Sequence, residues 1–157
     1  MKDTINIDQC LIRWTVRGDL SECVKIEQAC FDFPWDEEEF IRCLKGQSIC
    51  LVAELKDDIS QEKQIVAFMI YKMLEDKIIL ENIAVHPEYQ RQGIGRKMIE
   101  KLINKMKQCR RRQELITEVR ETDIDTQIFL RKMDFCAVPH LSGYLFRLSQ
   151  VIDNPAV

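Results

Sequence analysis

Histidine is nearly missing from this chain: His86 and His140 are the only two among 157 residues. The seven cysteines, at positions 10, 23, 30, 43, 50, 109 and 136, contain no Cys-x-x-Cys pair. These two scarcities argue against a zinc site, which needs Cys and His at short fixed spacings. An odd number of cysteines, most among apolar neighbours, is expected instead as buried free thiols in a reducing compartment. No apolar run approaches the ~18 residues of a membrane span, and the amino-terminal Met-Lys-Asp-Thr-Ile-Asn has no apolar signal core, so the chain is expected to be soluble and cytoplasmic. An excess of one charge is lacking too. The 23 Lys and Arg nearly balance 26 Asp and Glu, and a net charge of −3 does not suit a general nucleic-acid binder. Proline and glycine, four and five in all, form no linker, and there is no repeat or low-complexity tract. One domain over 1–157 is expected, with enough chain for a full core.

Against these absences stands an orderly periodic pattern. Residues 11–16 alternate like a strand. Leu20, Val24, Ile26 and Ala29 mark a helix over 19–30, and Phe33-Pro34-Trp35 breaks it. Asp36, with Glu39 three residues on, reads as the capping box of a second helix that carries Phe40, Ile41 and Leu44 and ends at Gly46. Strands follow at 49–55, 64–74 and 77–85. A helix over 94–109 shows Ile94, Met98, Ile99, Leu102, Ile103 and Met106 at helical spacing. A strand at 114–120, a helix at 123–134 with Ile124, Ile128, Phe129 and Met133 along it, and strands at 135–139 and 143–149 complete the chain. The order β-α-α-β-β-β-α-β-α-β-β predicts an α/β fold, a mixed and mostly antiparallel central sheet with helices on both faces.

Function is concentrated between Ile78 and Met98. An apolar strand ends at His86-Pro87, the loop Gln90-Arg91-Gln92-Gly93-Ile94-Gly95 follows, and a helix starts at once. The loop is neither a Walker A motif nor the Gly-x-Gly-x-x-Gly of dinucleotide folds. It still aims backbone N–H groups and a positive helix end at one point, a place for a phosphate or pyrophosphate. Gly93 and Gly95 permit close backbone approach or positive φ, and Arg91 and Arg96 add charge. The plain alternative is a glycine-softened strand-to-helix turn. Lys105, Lys107, Arg110, Arg111 and Arg112 cluster at the far end of that helix. They read as cations complementing its dipole, or as a contact for an RNA-bearing target.

Several segments resemble the GNAT superfamily of acetyl-CoA-dependent N-acetyltransferases, and within it the branch that acetylates the terminal alanine of a ribosomal protein. They are Ile26-Glu27-Gln28, Phe33-Pro34-Trp35 and Phe40; Asn82 through Arg96; Leu115 through Arg120; and Asp134-Phe135. The resemblance spans roughly residues 11–149. It implies that backbone groups of Ile83, Ala84 and Val85 pair with the pantetheine arm of acetyl-CoA. It implies that Arg91, Gln92, Gly93, Ile94, Gly95 and Arg96 hold the pyrophosphate. Glu118 falls at the general base, and Phe33, Pro34 and Trp35 line the acceptor side. Glu81, on the cofactor strand, is the competing base. The implied acceptor is a protein or peptide N-terminus, such as a ribosomal one, with a small amine or a catalytically weak CoA-binding role as alternatives. No membrane and no direct nucleic-acid partner is expected.

Three departures from the family pattern bear on chemistry. Thr122-Asp123 replaces a Ser-Asn pair whose Asn contacts CoA, so Asp123 brings a carboxylate to that position. Leu130 stands twelve residues after Glu118, where the family carries a Tyr acid, so Leu130→Tyr is expected to raise the rate if that acid limits turnover. Tyr144 is the nearest C-terminal replacement, or else an aromatic of the last strand. The turn Val138-Pro139-His140-Leu141-Ser142-Gly143 is short, which leaves the peptide side open. Losing the acid is tolerable, because a thiol of pKa ~8.5 is a good leaving group. Weak acid–base equipment favours an α-amine of pKa ~7.7–8.0, about 10–15% neutral at pH 7, over lysine at about 0.04%.

Overall fold

Hydrophobic periodicity orders the elements of this chain, and the computed structural model, which describes residues 4–141 and 143–150, has them in the expected order. They are β1 (Leu11–Trp14), α1 (Leu20–Cys30), α2 (Glu37–Lys45), β2 (Ile49–Lys56), β3 (Lys63–Met73), β4 (Lys77–Val85), α3 (Ile94–Lys107), β5 (Glu114–Arg120), α4 (Ile124–Lys132), β6 (Cys136–His140) and β7 (Gly143–Ser149). The seven strands form one sheet in the order β1-β2-β3-β4-β5-β7-β6. Of the pairings described, only β4 with β5 is parallel. By contact density the chain divides into one unit of Met1–Lys72 with Glu81–Glu100 and another of Met73–Leu80 with Lys101–Val157. No helix among the described residues is long and apolar enough to cross a membrane.

In the first unit the capping box is built as its sequence predicts. Asp36 accepts from the Glu39 N–H at 2.9 Å, and Glu39 accepts from the Asp36 N–H at 2.8 Å, which satisfies two of the orphan donors of α2. The helix places Phe40 against Leu20, Cys23 and Ile26 of α1, Cys50 and Val52 of β2, Phe68 and Ile70 of β3, and Ala84 of β4. Phe40 meets Trp35 and Phe68 edge-on, with ring centroids 5.7 and 5.1 Å apart. Truncating a buried Phe of this kind costs about 3–5 kcal/mol. Gly46 caps α2 with an ordinary φ of −93°, and the left-handed residue is Gln47 at 75°. Beneath β1 and β2, Arg13 bridges two buried carboxylates, Asp19 and Glu54, each at 2.8 Å.

In the second unit β5 pairs in parallel with Lys77–Leu80 and antiparallel with β7, and β6 closes a tight hairpin with β7 at His140↔Gly143. Only glycine fits at 143, because a Cβ would collide with the Val119 carbonyl. Ser142, in this turn, lies outside the described residues.

Several sequence expectations are corrected. Thr15 and Val16 fall outside β1. Ala29 is exposed, and the buried side of α1 is Leu20, Cys23, Ile26 and Glu27. On α4, Ile124 and Ile128 face solvent while Gln127, Leu130 and the following Met133 are buried. Gln127 tolerates burial because its amide donates to the Arg120 and Glu121 carbonyls, both at 3.0 Å. All seven cysteines are free thiols, but only Cys10, Cys23 and Cys50 are buried; Cys30, Cys43 and Cys109 are half-buried and Cys136 is exposed.

Candidate active site

The β4 strand supplies the frame of the site. Its ladder with β5 ends at Leu80↔Thr117, and among the described pairings the same edge of Glu81–Val85 has no strand partner. The His86 N–H donates to Val66 of β3 at 2.8 Å. Backbone direction alternates along a strand, so Ala84 also faces β3, while Ile83 and Val85 present N–H and C=O to the open edge. The Ala84 side chain is fixed in the core beside Phe40. The Val85 carbonyl already accepts from the Gln90 amide at 2.9 Å and from the Cys30 thiol at 3.2 Å.

The loop after β4 has the geometry of an anion cradle. Pro87–Tyr89 form a single 3₁₀ turn capped by the His86 side chain. Arg91 then adopts φ 61° and Gly93 φ 91°, both left-handed. A Cβ at Gly93 would meet nothing nearer than the Ile7 side chain at 3.9 Å, so backbone conformation rather than crowding calls for glycine there. Gly95 needs no such freedom, because it lies inside α3. The first-turn N–H groups of a helix lack intrahelical partners, and α3 presents its own directly after this loop. Arg91 is exposed, and Arg96 is half exposed, 4.0 Å from Glu100. Gln92 turns inward instead: its side-chain oxygen accepts from the Ile5 N–H at 3.0 Å. Lys97 reinforces this tie by donating to the Ile7 and Cys10 carbonyls at 2.9 and 2.7 Å. The donors and the basic side chains fit a pyrophosphate.

Phe33 and Pro34 are exposed, Phe33 by 75%, and Trp35 is half-buried against Phe40. The Trp35 N–H donates at 3.1 Å to one oxygen of Glu27, a carboxylate only 2% exposed. The other Glu27 oxygen accepts from the Asn82 amide at 3.0 Å. Next to Asn82, the half-buried Glu81 accepts a 2.5 Å hydrogen bond from the Ser48 hydroxyl. The first unit thus gathers the loop, the open β4 edge, Glu81 and the Phe33–Trp35 break.

Glu118 belongs to the second unit. Its side chain is 73% exposed and lies 3.4 Å from His140 Nε2 on β6. Asp123 is the N-cap of α4 and accepts from the Thr126 N–H at 3.2 Å. Leu130 is fully buried, which makes it a core side chain. Tyr144 packs edge-on to Phe146, centroids 6.4 Å apart. Sequence reading gave no role to Glu27, Ser48 or His140. Glu27 carried a signal, since it sits seven residues after Leu20 on the apolar side of α1. Ser48 and His140 carried none, because their contacts depend on tertiary placement.

An open strand edge followed by an anion loop at a helix start is the chief geometric feature of the site, and comparison with known proteins identifies the family that carries it. The family model described as acetyltransferase (GNAT) family matches residues 20–135, and the chain belongs to that family. Among relatives, it is 38% identical over 88 residues to [ribosomal protein bS18]-alanine N-acetyltransferase of Escherichia coli strain K12, covering 56% of this chain and 55% of that protein. The chain thus spans about half the length of that relative. The enzyme of the same name from Haemophilus ducreyi is 30% identical over 134 residues, 85% of this chain and 88% of that protein. The crystal structure of the ribosomal-protein-S18-alanine N-acetyltransferase from Escherichia coli superposes with a TM-score of 0.73 at 26% identity, covering 94% of this chain and 99% of that one. Arabidopsis thaliana NAA60 in complex with a bisubstrate analogue shares the fold at TM-score 0.74 and 16% identity, with 89% and 97% covered.

Proposed function

We propose that residues 1–157 act as a single cytoplasmic N-acetyltransferase domain that moves an acetyl group from acetyl-CoA to the N-terminal α-amine of a protein or peptide. The observation that carries this reading is the open β4 edge at Ile83 and Val85 running straight into the Arg91–Arg96 loop at the start of α3. Relatives named [ribosomal protein bS18]-alanine N-acetyltransferase support a protein acceptor.

Acetyl-CoA supplies an acetyl group activated as a thioester. Ile83 and Val85 offer backbone groups to its pantetheine arm, and the Val85 N–H is the donor best placed to polarise a carbonyl there. Gly93, Ile94, Gly95 and the Arg91 and Arg96 side chains hold the pyrophosphate, while Gln92 braces the loop. Asp123, whose carboxylate caps α4, is the residue that the family resemblance assigns to cofactor contact. Phe33, Pro34 and Trp35 receive the acceptor. Either Glu81, hydrogen-bonded to Ser48, or Glu118, beside His140, takes the proton of the incoming amine. Because an α-amine is already about 10–15% neutral at pH 7, the base has less to do than with lysine.

Turnover of a panel of N-terminal peptides, including alanine-initiated ones, against small amines at saturating acetyl-CoA tests the reading. Peptide acetylation is the expected result. Turnover of small amines alone would assign a small-molecule acceptor, and acetyl-CoA binding without turnover would assign a CoA-binding regulatory role.

A further inference from the structure

We infer that Glu27 is a positioning residue of the acceptor side, locking the Phe33–Pro34–Trp35 break to the cofactor strand through Asn82. This rests on the acceptor reading given above. Glu27 is a carboxylate on the core side of α1, 2% exposed, among Leu20, Cys23 and Ile26. A buried carboxylate is costly unless hydrogen bonds compensate it, and an apolar residue would fill the same volume without that cost. Its two oxygens point to two different elements. One takes the Trp35 N–H at 3.1 Å, at the end of the break before α2. The other takes the Asn82 amide at 3.0 Å, on β4 immediately before Ile83. Phe33 and Pro34 are exposed and lie outside any helix or strand, so the Trp35 tie is a fixed point of that break. The Asn82 side chain leaves β4 on the same face as Ala84, while the open-edge backbone groups belong to Ile83 and Val85, so Glu27 acts on acceptor placement rather than on the cofactor cradle.

Three variants test the link. Glu27→Met keeps the volume and removes both acceptors. Asn82→Asp sets one carboxylate against another. Glu27→Gln with Asn82→Asp restores donor to acceptor, because the new amide donates to Asp and its oxygen still accepts from Trp35. The Trp35 amide, followed by hydrogen exchange in NMR, should lose protection in Glu27→Met and keep it in the double variant. Peptide kcat/KM should fall about tenfold or more in each single variant, the equivalent of one charge-assisted hydrogen bond, and recover in the double. Acetyl-CoA affinity, measured by calorimetry, should stay at the wild-type value throughout. Unchanged Trp35 protection in Glu27→Met, a parallel fall in acetyl-CoA affinity, or a double variant no better than Asn82→Asp would each overturn the inference. If the wild type acetylates no peptide, the acceptor reading fails, and the exchange data still judge the Glu27 link alone.

Discussion

Arg91 and Gly93 hold the same left-handed backbone with different side chains, at φ 61° and 91°. A side chain at such a φ costs about 1–2 kcal/mol. Gly93→Ala is therefore expected to lower stability by about that amount, seen as a lower thermal midpoint, and to weaken acetyl-CoA binding as the cradle shifts. The two candidate bases are separable in the same way. Replacing the true base by Gln should cost about 10²–10⁴-fold in kcat, while the other variant stays near wild type, as steady-state rates for Glu81→Gln and Glu118→Gln will show. Glu81 is half-buried and bonded to Ser48, whereas Glu118 is largely solvent-exposed beside His140. Leu130 also changes meaning at this scale. It occupies a position where a tyrosine was expected from the resemblance, yet it is fully buried. Leu130→Tyr should overpack the core and cost about 1–3 kcal/mol, measured by denaturant unfolding, so its effect on stability precedes any effect on rate.

Elements are legible where one physical signal dominates. The α2 capping box is a local device of four residues, and the structure builds it between Asp36 and Glu39. Asp36→Ala should cost about 1 kcal/mol in thermal unfolding, the usual loss when an N-cap goes. Strands β4 and β5 were bounded correctly because each is a stretch rich in Ile, Leu and Val set off by polar residues at its ends. Helix α4 was located, but its buried side was not legible. Its two isoleucines face solvent, since Gln127 takes the inward position to satisfy two backbone carbonyls that no periodicity reveals. The same limit hid half of the candidate site. The anion loop is contiguous and could be read directly, but Glu27 reaches Asn82 across 55 positions and Ser48 reaches Glu81 across 33.

At the scale of the whole molecule, the half-buried Arg13 and its two buried carboxylates make stability depend on acid pH. The Arg13 hydrogen bond holds the Asp19 carboxyl below its usual range. Burial pushes the Glu54 carboxyl up, but hydrogen bonds from Arg13 and Lys63 outweigh it and leave it lowered. Depressed carboxyls stabilise the fold fully above their unfolded pKa of ~4 and release that stability as pH falls through the lower folded values. Arg13→Met should therefore cost about 3 kcal/mol near pH 7, and the gap to wild type should narrow below pH ~4, as urea melts across pH will show. A different consequence follows from the ties of Lys97 and Gln92 to residues 5–10. They join positions 87 to 90 apart in sequence. Closing so long a loop costs about 2 kcal/mol more chain entropy than closing one of ten residues. Contacts of this kind are expected to form after the local hairpins and helices, so the bracing of the cradle by residues 5–10 should come late in folding. Lys97→Met should then speed unfolding more than it slows refolding, raising the unfolding arm of the chevron and leaving the folding arm nearly in place.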